Sequence, residues 1–274
     1  MKITVLVENS RLNKSVTQAH GLSLLIEDQQ QQFLFDSGPN KKIIANAQQL
    51  QVNLNNLHGI ILSHGHADHA GGLRYLPTNQ TPLYLSKDAL AAKYIQVFKT
   101  KFYVGLPKKI PLTKFKLNYI TEKTAIADKL YLVPLGTAKI PTKNLYVKRN
   151  NKIALDTFED EVMLIKELAD EIILFTGCSH HGILNMVETA LTLFPNKPIK
   201  YLIGGFHLIS VPYLNNLNTD KDSIINLGKQ LQQLPIKKIL TCHCTGKKAY
   251  KLLKQVLGEQ ISEINTGMTL ALTE

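Results

Sequence analysis

Short apolar runs alternate with polar turns along the first sixty residues of the chain. The segments Ile3–Val7, Leu22–Glu27 and Phe33–Phe35 have the length and composition of strands. Apolar residues spaced three and four apart over Lys41–Leu50 predict a helix. The run Gly59–Leu62 then predicts a short buried strand that leads directly into a group of histidines. The chain therefore opens as a β-meander followed by a helix and a buried strand.

The last hundred residues alternate strands with helices in a regular order. The pattern predicts strands at 171–175, 200–203 and 237–241 and helices at 182–194, 220–234 and 245–257. A histidine follows each strand: His180, His207 and His243. Ligands of α/β proteins gather at this edge of the sheet, where helix N-termini also point. The segment 98–168 has no clear pattern, and the whole is predicted to be one α/β (α+β) domain spanning 1–274.

The composition supports a folded core with a basic surface. Of 274 residues 44% are hydrophobic, and the formal net charge is +11. A lysine-rich insertion is predicted at about residues 93–128, interpreted as a solvated face, with a small nucleic-acid exosite as the alternative. No apolar run near the start is long enough for a membrane span, and three cysteines do not suit a disulfide framework. We therefore expect a cytoplasmic protein with no membrane partner.

The segment His64-Gly65-His66-Ala67-Asp68-His69 places three histidines and one aspartate within six positions. In an extended segment residues i and i+2 project to the same side, so His64 and His66 can hold one metal ion together. Asp68 and His69 come after the chain has begun to turn and can face a second ion. Neutral imidazole and carboxylate suit zinc and its first-row neighbours. The segment therefore predicts one or two divalent ions, zinc first, with manganese or iron as alternatives.

This segment, together with Phe35-Asp36-Ser37-Gly38 before it and the later strand-end histidines, resembles the metallo-β-lactamase fold superfamily. The segments 176–182, 204–208 and 242–246 resemble in particular the branch of 7,8-dihydropterin-6-ylmethyl-4-(β-D-ribofuranosyl)aminobenzene 5′-phosphate synthase and related metal-dependent hydrolases. The resemblance implies a four-layer αββα sandwich with a one- or two-metal site, binuclear in its full form, at one edge of the sheets.

Carried over residue by residue, the resemblance also implies which side chains bind metal. The ligands of the first ion would be His64, His66 and His180, and those of the second would be Asp68, His69 and His243. Asp36 would orient ligand imidazoles from behind rather than bind metal, the alternative being an ordinary turn aspartate. His20, near the start, would lie at the edge of the site and contact substrate.

The chain departs from the superfamily pattern at the fourth motif, which usually offers an aspartate that bridges both metals. The corresponding strand end reads Gly205-Phe206-His207. An imidazole cannot readily form such a bridge, so His207 is either a terminal ligand or a donor aimed at the substrate. With Asp68 it makes up the pair of candidate catalytic residues.

The three cysteines are not predicted to form a zinc–thiolate site. Cys178 is expected to be a small buried apolar group. Cys242 and Cys244 flank His243, and strand alternation would send both to the opposite face if His243 faces the metals.

The start of the last helix predicts a site for an anion. Thr245 is expected to cap this helix, which places Lys247 and Lys248 in its first turn. Cations there oppose the helix dipole, at a cost of about 0.3–1 kcal/mol. A phosphate or carboxylate of the substrate would remove that cost, since N–H groups, dipole and lysine charge would converge on it. The alternative is that both lysines point into solvent.

Together these features predict a metal-dependent hydrolase or related group-transfer enzyme acting on a small anionic substrate, phosphorylated or pterin-like by the resemblance. A metal-activated hydroxide would attack a carbonyl or phosphoryl centre, and Asp68 would orient it or shuttle its proton. One alternative is a nuclease or phosphodiesterase acting on nucleic acid, which the basic charge would suit but which is not favoured. Another is a non-catalytic zinc-binding module.

Overall fold

A computed structural model describes residues 1–77, 80–138, 143–210 and 216–272. The chain forms two compact units. Unit 1 comprises Met1–Thr121, Pro134–Val162 and Asn265–Glu274, and unit 2 comprises Glu122–Val133 and Met163–Ile264. The single-domain assignment and the bounds of the lysine-rich insertion stay predictions.

The structure has the following strands and helices within the described residues. The strands are β1 (Lys2–Val7), β2 (Ser23–Asp28), β3 (Gln31–Phe35), β4 (Gly59–Ile61), β5 (Thr81–Leu85), β6 (Ala92–Val97), β7 (Thr100–Tyr103), β8 (Phe115–Tyr119), β9 (Thr124–Ala127), β10 (Leu130–Pro134), β11 (Leu145–Arg149), β12 (Lys152–Leu155), β13 (Val162–Glu167), β14 (Ile172–Phe175), β15 (Ile199–Gly204), β16 (Ile236–Thr241), β17 (Ile261–Glu263) and β18 (Thr269–Ala271). The helices are α1 (Lys42–Gln49), α2 (Ala67–Ala70), α3 (Ile183–Leu193), α4 (Lys221–Gln233) and α5 (Lys247–Leu257). None of these helices has the length and apolar character that crossing a bilayer requires.

The larger sheet of unit 1 has the strand order β18-β1-β2-β3-β4-β5-β8. Strands β1 to β3 pair antiparallel as the predicted meander, whereas β3, β4, β5 and β8 pair in parallel. Strand β18 pairs with the outer edge of β1, with Lys2 opposite Ala271. Helix α1 packs Ile43 and Ala47 into the core, and the Asn46 side chain donates to the Leu6 carbonyl at 2.7 Å. The parallel β3–β4 pair directs the histidine-bearing segment to one edge of this sheet.

Unit 1 also contains a smaller antiparallel sheet with the order β12-β11-β6-β7. It is built from the segment in which the sequence showed no clear pattern and from the first part of the lysine-rich stretch. Strands β7 and β12 are solvent-exposed throughout. Lys93 on β6 is the exception to the predicted solvated face, because its side chain is fully buried.

The sheet of unit 2 has the order β17-β16-β15-β14-β13-β10-β9. Strands β14 to β17 pair in parallel and are joined by α3, α4 and α5, the strand–helix alternation that the sequence predicts. Every side chain of β14 is buried, which explains its unbroken apolar sequence. Helix α4 begins at the Asp220 cap, whose side chain accepts from the Ser223 N–H at 2.8 Å. The carboxyl ends of β14, β15 and β16 share one edge and carry the three later histidines.

Candidate metal centre

Three imidazoles crowd together at the carboxyl end of β4 in unit 1, in the segment 64–69 that we call the histidine loop. His64 and His66 lie in the extended stretch before α2, and His64 Nε2 is 3.0 Å from His66 Nδ1. His69 lies on the short helix α2, and its ring centroid is 4.2 Å from that of His64. All three are buried. The predicted turn after His66 is therefore present, and it brings His69 back to the other two rings.

The Asp36 carboxylate positions the histidine loop through contacts with Ser63 and His69. Its Oδ2 lies 2.6 Å from His69 Nδ1 and accepts from Ser63 Oγ at 2.7 Å, while its Oδ1 accepts from the Ser63 N–H at 2.8 Å. Ser63 Oγ is also 3.0 Å from His64 Nδ1. Ser63 and Asp36 thus contact the Nδ1 atoms of His64 and His69 and fix the orientation of both rings. The contacts place Asp36 where an orienting carboxylate is needed.

A buried ion-pair triad that sequence reasoning missed supports the loop from another side. The Lys93 ammonium donates to Asp156 Oδ2 at 2.6 Å and to Asp160 Oδ1 at 2.8 Å. The other oxygen of Asp160 accepts from the Gly65 N–H at 2.7 Å. Gly65 is required here because a Cβ would overlap the Ala89 carbonyl oxygen. The triad therefore fixes the backbone between His64 and His66.

The electrostatics of the triad favour its charged form. Burial alone would lower the pKa of Lys93, but Asp160 and Asp156 raise it above its ordinary value. Burial opposes ionisation of Asp160 as well, and Lys93 together with the Gly65 N–H lowers the pKa of that carboxyl below its usual range. Lys93 and Asp160 are therefore a lysinium and a carboxylate at neutral pH.

The histidine loop is held in the neutral form that binds metal. Burial, followed by the neighbouring His69 and His66, lowers the pKa of His64 well below its ordinary value. Burial and the nearby Lys93 charge lower the pKa of His66 to about 3. Since imidazole must be deprotonated to ligate, these rings release no proton when an ion binds near neutral pH. The donor set of unit 1 therefore fits a divalent ion.

Asp68 and His20 lie together at a more open part of unit 1. The His20 Nε2 atom is 3.4 Å from Asp68 Oδ2, with side-chain exposures of 10% and 25%. The Asp68 carbonyl also accepts from the Leu22 N–H at 3.3 Å, which ties the segment after His20 to α2. The two residues predicted as substrate contact and proton carrier are thus paired with each other.

In unit 2, His180 and His207 face each other across the ends of β14 and β15. Their ring centroids are 4.2 Å apart. Ser179, with a positive φ of 59°, turns the chain before His180, and its hydroxyl donates to the Gly205 carbonyl at 2.7 Å. His180 is buried, whereas its neighbour His181 is partly exposed. The choice of His180 over His181 as the inward-facing histidine agrees with this burial.

His243 follows β16 in a left-handed conformation with φ of 51° and begins a short 3-10 turn, His243–Thr245. The prediction that Thr245 caps α5 is wrong. Its hydroxyl accepts from the Phe206 N–H at 3.0 Å and bonds Thr241 Oγ1 at 2.6 Å, while Gly246, with φ of 73°, takes the cap position. The glycine that follows Thr245 turns the chain before the helix starts, so the hydroxyl points to the sheet instead.

The two lysines after this turn are in the first turn of α5, as predicted. Both Lys247 and Lys248 are exposed. Lys248 Nζ donates to Asn216 Oδ1 at 3.2 Å. No acidic residue lies in that first turn, so both charges oppose the helix dipole uncompensated by α5 itself.

The expected separation of Cys244 from the strand-end histidines is wrong. Because β16 ends at Thr241, strand alternation no longer applies at Cys244. One ligand atom each from Cys178, His207 and Cys244 lies within 4.8 Å of the others. Burial raises the pKa of Cys244, but hydrogen bonds with Cys178 and His207 and the proximity of His243 lower it well below the ordinary thiol value. The turn at His243 could not be read from residue types alone.

The structure therefore assembles two sets of predicted residues, one in each unit. Unit 1 gathers His64, His66 and His69 with Asp36, and pairs Asp68 with His20. Unit 2 places His180 against His207, and His243 on the adjacent strand end. Convergence of the two sets on shared ions stays a prediction.

Comparison with known proteins identifies the family. A family model described as the metallo-beta-lactamase superfamily matches residues 16–112. The 7,8-dihydropterin-6-methyl-4-(beta-D-ribofuranosyl)-aminobenzene-5'-phosphate synthase of Methanocaldococcus jannaschii is 29% identical over 97% of this chain and 95% of its own length. The protein MJ0448 of the same organism is 33% identical over 93% of this chain and 94% of its own length.

A solved structure extends the similarity to the whole fold. Tm1679, described as a metal-dependent hydrolase of the beta-lactamase superfamily, matches with a TM-score of 0.86 at 31% identity, covering 100% of both chains. The predicted fold class and the predicted resemblance are confirmed. Proteins of this group generally bind divalent metal ions. The chain belongs to the metallo-β-lactamase superfamily.

Proposed function

We propose that this protein is a metal-dependent hydrolase or related group-transfer enzyme acting on a small anionic substrate. The observation that carries the proposal is the histidine loop, in which three buried imidazoles crowd together and Ser63 and Asp36 contact Nδ1 of His64 and His69. Burying polar rings costs free energy, and three imidazoles beside a carboxylate are the donor types that zinc and its neighbours prefer. Family membership supports the same reading.

We assign the ligands as the sequence predicted them. The first ion would be held by His64, His66 and His180, and the second by Asp68, His69 and His243. The imidazole-rich set favours zinc, with manganese and iron as alternatives. A bound divalent ion would supply Lewis acidity, lowering the pKa of a coordinated water to about 7 and stabilising negative charge on the reacting centre.

The chain's own residues supply the remaining chemistry. Asp68, held by His20 at 3.4 Å, would orient the nucleophile and take up its proton at Oδ2. The buried triad of Lys93, Asp156 and Asp160 would keep the histidine loop from moving as charge develops. His207, in contact with the His180 ring, would serve as a further ligand or as a donor to the substrate.

The substrate class rests on charge and on a relative. Lys247 and Lys248 stand at the N-terminus of α5, where N–H groups also favour an anion. The Methanocaldococcus jannaschii relative is named for a phosphorylated dihydropterin product. We therefore propose a phosphorylated or pterin-like substrate. Three buried cysteines that form no disulfide support a reducing, cytoplasmic location.

Turnover with zinc or manganese on generic phosphodiester, phosphomonoester and ester substrates tests the proposal. We expect His66→Ala and Asp68→Ala each to lower kcat/KM by more than 100-fold, as loss of a ligand or of the proton carrier removes the activated nucleophile. His58→Ala is the matched control, since His58 is exposed, its ring accepts from the Gln32 N–H at 3.1 Å, and it is not one of the proposed ligands. Stoichiometric metal binding without turnover on any substrate would instead indicate a non-catalytic zinc-binding module.

A further inference from the structure

We propose a thiolate-rich metal site in unit 2, formed by Cys178, His207 and Cys244, which we call the thiol cluster. One ligand atom of each residue lies within 4.8 Å of the others. Donors around one tetrahedral zinc ion are about 3.5–3.8 Å apart, given Zn–S bonds of about 2.3 Å and Zn–N bonds of about 2.0–2.1 Å. Movements of less than about 1 Å per atom would therefore bring all three donors onto one ion.

The surroundings of the thiol cluster are those of a built site. Cys178 and Cys244 are 4% and 3% exposed and pack with Ile209, so both sulfurs are shielded from solvent. The Nδ1 atom of His207 is buried, and the described residues give it no hydrogen-bond partner. Two buried thiols alone could be simple core residues. A buried imidazole nitrogen beside them, with no hydrogen bond of its own, indicates a ligand.

Backbone geometry brings the three residues together and holds them there. His207 has a positive φ of 48°, as does His243 with 51°, and such conformations are uncommon outside glycine. The His207 N–H donates to Cys244 Sγ at 3.3 Å. A Cβ at Gly205 would lie only 2.5 Å from the same sulfur, so this position must be glycine for Cys244 to enter.

The chemistry of the donors identifies the class of ion. Two thiolates and one imidazole favour zinc or another borderline-soft ion over magnesium or manganese, which prefer oxygen. Three protein donors leave one tetrahedral position open, the pattern of catalytic rather than closed structural zinc sites. No carboxylate and none of the six proposed ligands belongs to the cluster, but its Cys178 also lies within 4.8 Å of ligand atoms of His180 and of His243. The thiol cluster therefore adjoins the ligands named in the proposed function, and its thiolate donors are what distinguishes it from them. It also assigns His207 as a ligand rather than a donor to the substrate.

Cobalt(II) absorption of the reduced, metal-free full chain tests the proposal. Thiolate-to-cobalt charge transfer gives an intense near-ultraviolet band that histidine and carboxylate ligands do not give. We expect the band in wild type and in Cys242→Ser, the matched control, since Cys242 is equally buried and outside the cluster. We expect Cys244→Ser and Cys178→Ser to lose most of it.

Two further measurements keep the result clear if a variant fails to fold or if the proposed function fails. Zinc-edge X-ray absorption of the wild-type protein should show a sulfur shell at about 2.3 Å. The double variant His66→Ala/His69→Ala, which removes ligands of the proposed catalytic ions, should keep the cobalt band. Absence of the band in folded wild type, its persistence in both Cys244→Ser and Cys178→Ser, its loss in the histidine variant, or a shell of nitrogen and oxygen only would each overturn the proposal.

Discussion

The two units hold their candidate ligands by different physical means. In unit 1 the histidine loop rests on buried charges: Asp36 bonds His69 and Ser63, and the Lys93 triad bonds Gly65. In unit 2 the ligands follow strand ends and are positioned by left-handed backbone turns at Ser179, His207 and His243, joined by hydroxyl contacts. Similar ligand types are therefore preorganised either by ionic networks or by backbone conformation, and the two arrangements should respond differently to mutation.

The largest expected effect comes from removing the charge at the centre of the triad. Lys93→Met leaves Asp156 and Asp160 buried without a counter-charge, which should lower the free energy of unfolding by about 3–5 kcal/mol. Urea denaturation at neutral pH measures this decrease in the free energy of unfolding. The matched control is Lys99→Met, an exposed lysine whose loss should change stability by less than about 0.5 kcal/mol. Equal effects of the two variants would show that the triad does not support unit 1.

The same variant has a distinct pH dependence. The pKa of Asp160 is lowered in the folded protein, so its contribution is present above the ordinary carboxyl pKa of about 4 and is lost as the pH falls through the folded value. In Lys93→Met the Asp160 carboxylate is buried without its counter-charge, so its protonation stabilises the folded variant. The stability difference between Lys93→Met and wild type should therefore shrink as the pH is lowered through the acid range. A constant difference would contradict the assigned charges.

The next effect concerns metal affinity in unit 1. Asp36→Ala removes the acceptor of His69 Nδ1 and of Ser63, which should weaken zinc binding by about 10- to 100-fold. Competition titration with a chromophoric chelator measures the change. Asp36→Asn keeps one acceptor oxygen and should lie between Ala and wild type, whereas Asp170→Ala, at an exposed aspartate, should leave affinity unchanged. Unaltered affinity in Asp36→Ala would identify Asp36 as an ordinary turn residue.

A neutral contact in unit 2 should matter less than the ionic triad. Thr245→Val leaves the buried Phe206 N–H without its acceptor and removes the bond to Thr241, at a cost of about 1–3 kcal/mol of unfolding free energy. The exposed helical Thr192→Val serves as the reference. Calorimetric or urea unfolding measures the cost of each substitution. A larger cost for Thr245→Val than for Lys93→Met would show that the neutral contact stabilises the protein more than the ionic triad does.

The smallest effect is expected at the N-terminus of α5. Lys247→Gln with Lys248→Gln should raise the unfolding free energy by about 0.3–1 kcal/mol at low salt, because both charges oppose the helix dipole. Lys254→Gln, in the last turn, should have the opposite sign. If the two lysines bind an anion of the substrate, the same double variant should raise KM for a phosphorylated substrate and leave kcat nearly unchanged. Unchanged KM would remove them from the substrate site.

Residue patterns predicted the meander, α1, β4 and the strand–helix alternation of unit 2 to within a few residues, because each of these elements is apolar on a clear period. They could not predict the small sheet of β6, β7, β11 and β12. Its outer strands are solvent-exposed on every residue, so their sequence carries no burial signal. Hydrophobic periodicity finds strands that help to form a core and misses strands that do not.

The candidate site was likewise predictable only in part. The sequence predicts the ligand types and their positions after strands, because histidines are concentrated in His64–His69 and each later histidine follows an apolar run. The Lys93 triad was not predictable, because its carboxylates lie 63 and 67 positions away along the chain and Lys93 stands at the start of a lysine-rich stretch. The sequence also does not predict the turn at His243, because residues other than glycine do not signal a left-handed conformation by their type.

The pairing of β1 with β18 sets an order for folding during synthesis. Lys2 is opposite Ala271, so the outermost strand of the larger sheet leaves the ribosome long after β1. Until then β1 presents an unpaired edge to other nascent chains, a known route to aggregation. Unit 2, which is complete by Ile264, has all its strands available earlier. A chain that is terminated near residue 264 would thus contain all of unit 2 but would leave the β1 edge of the larger sheet unpaired.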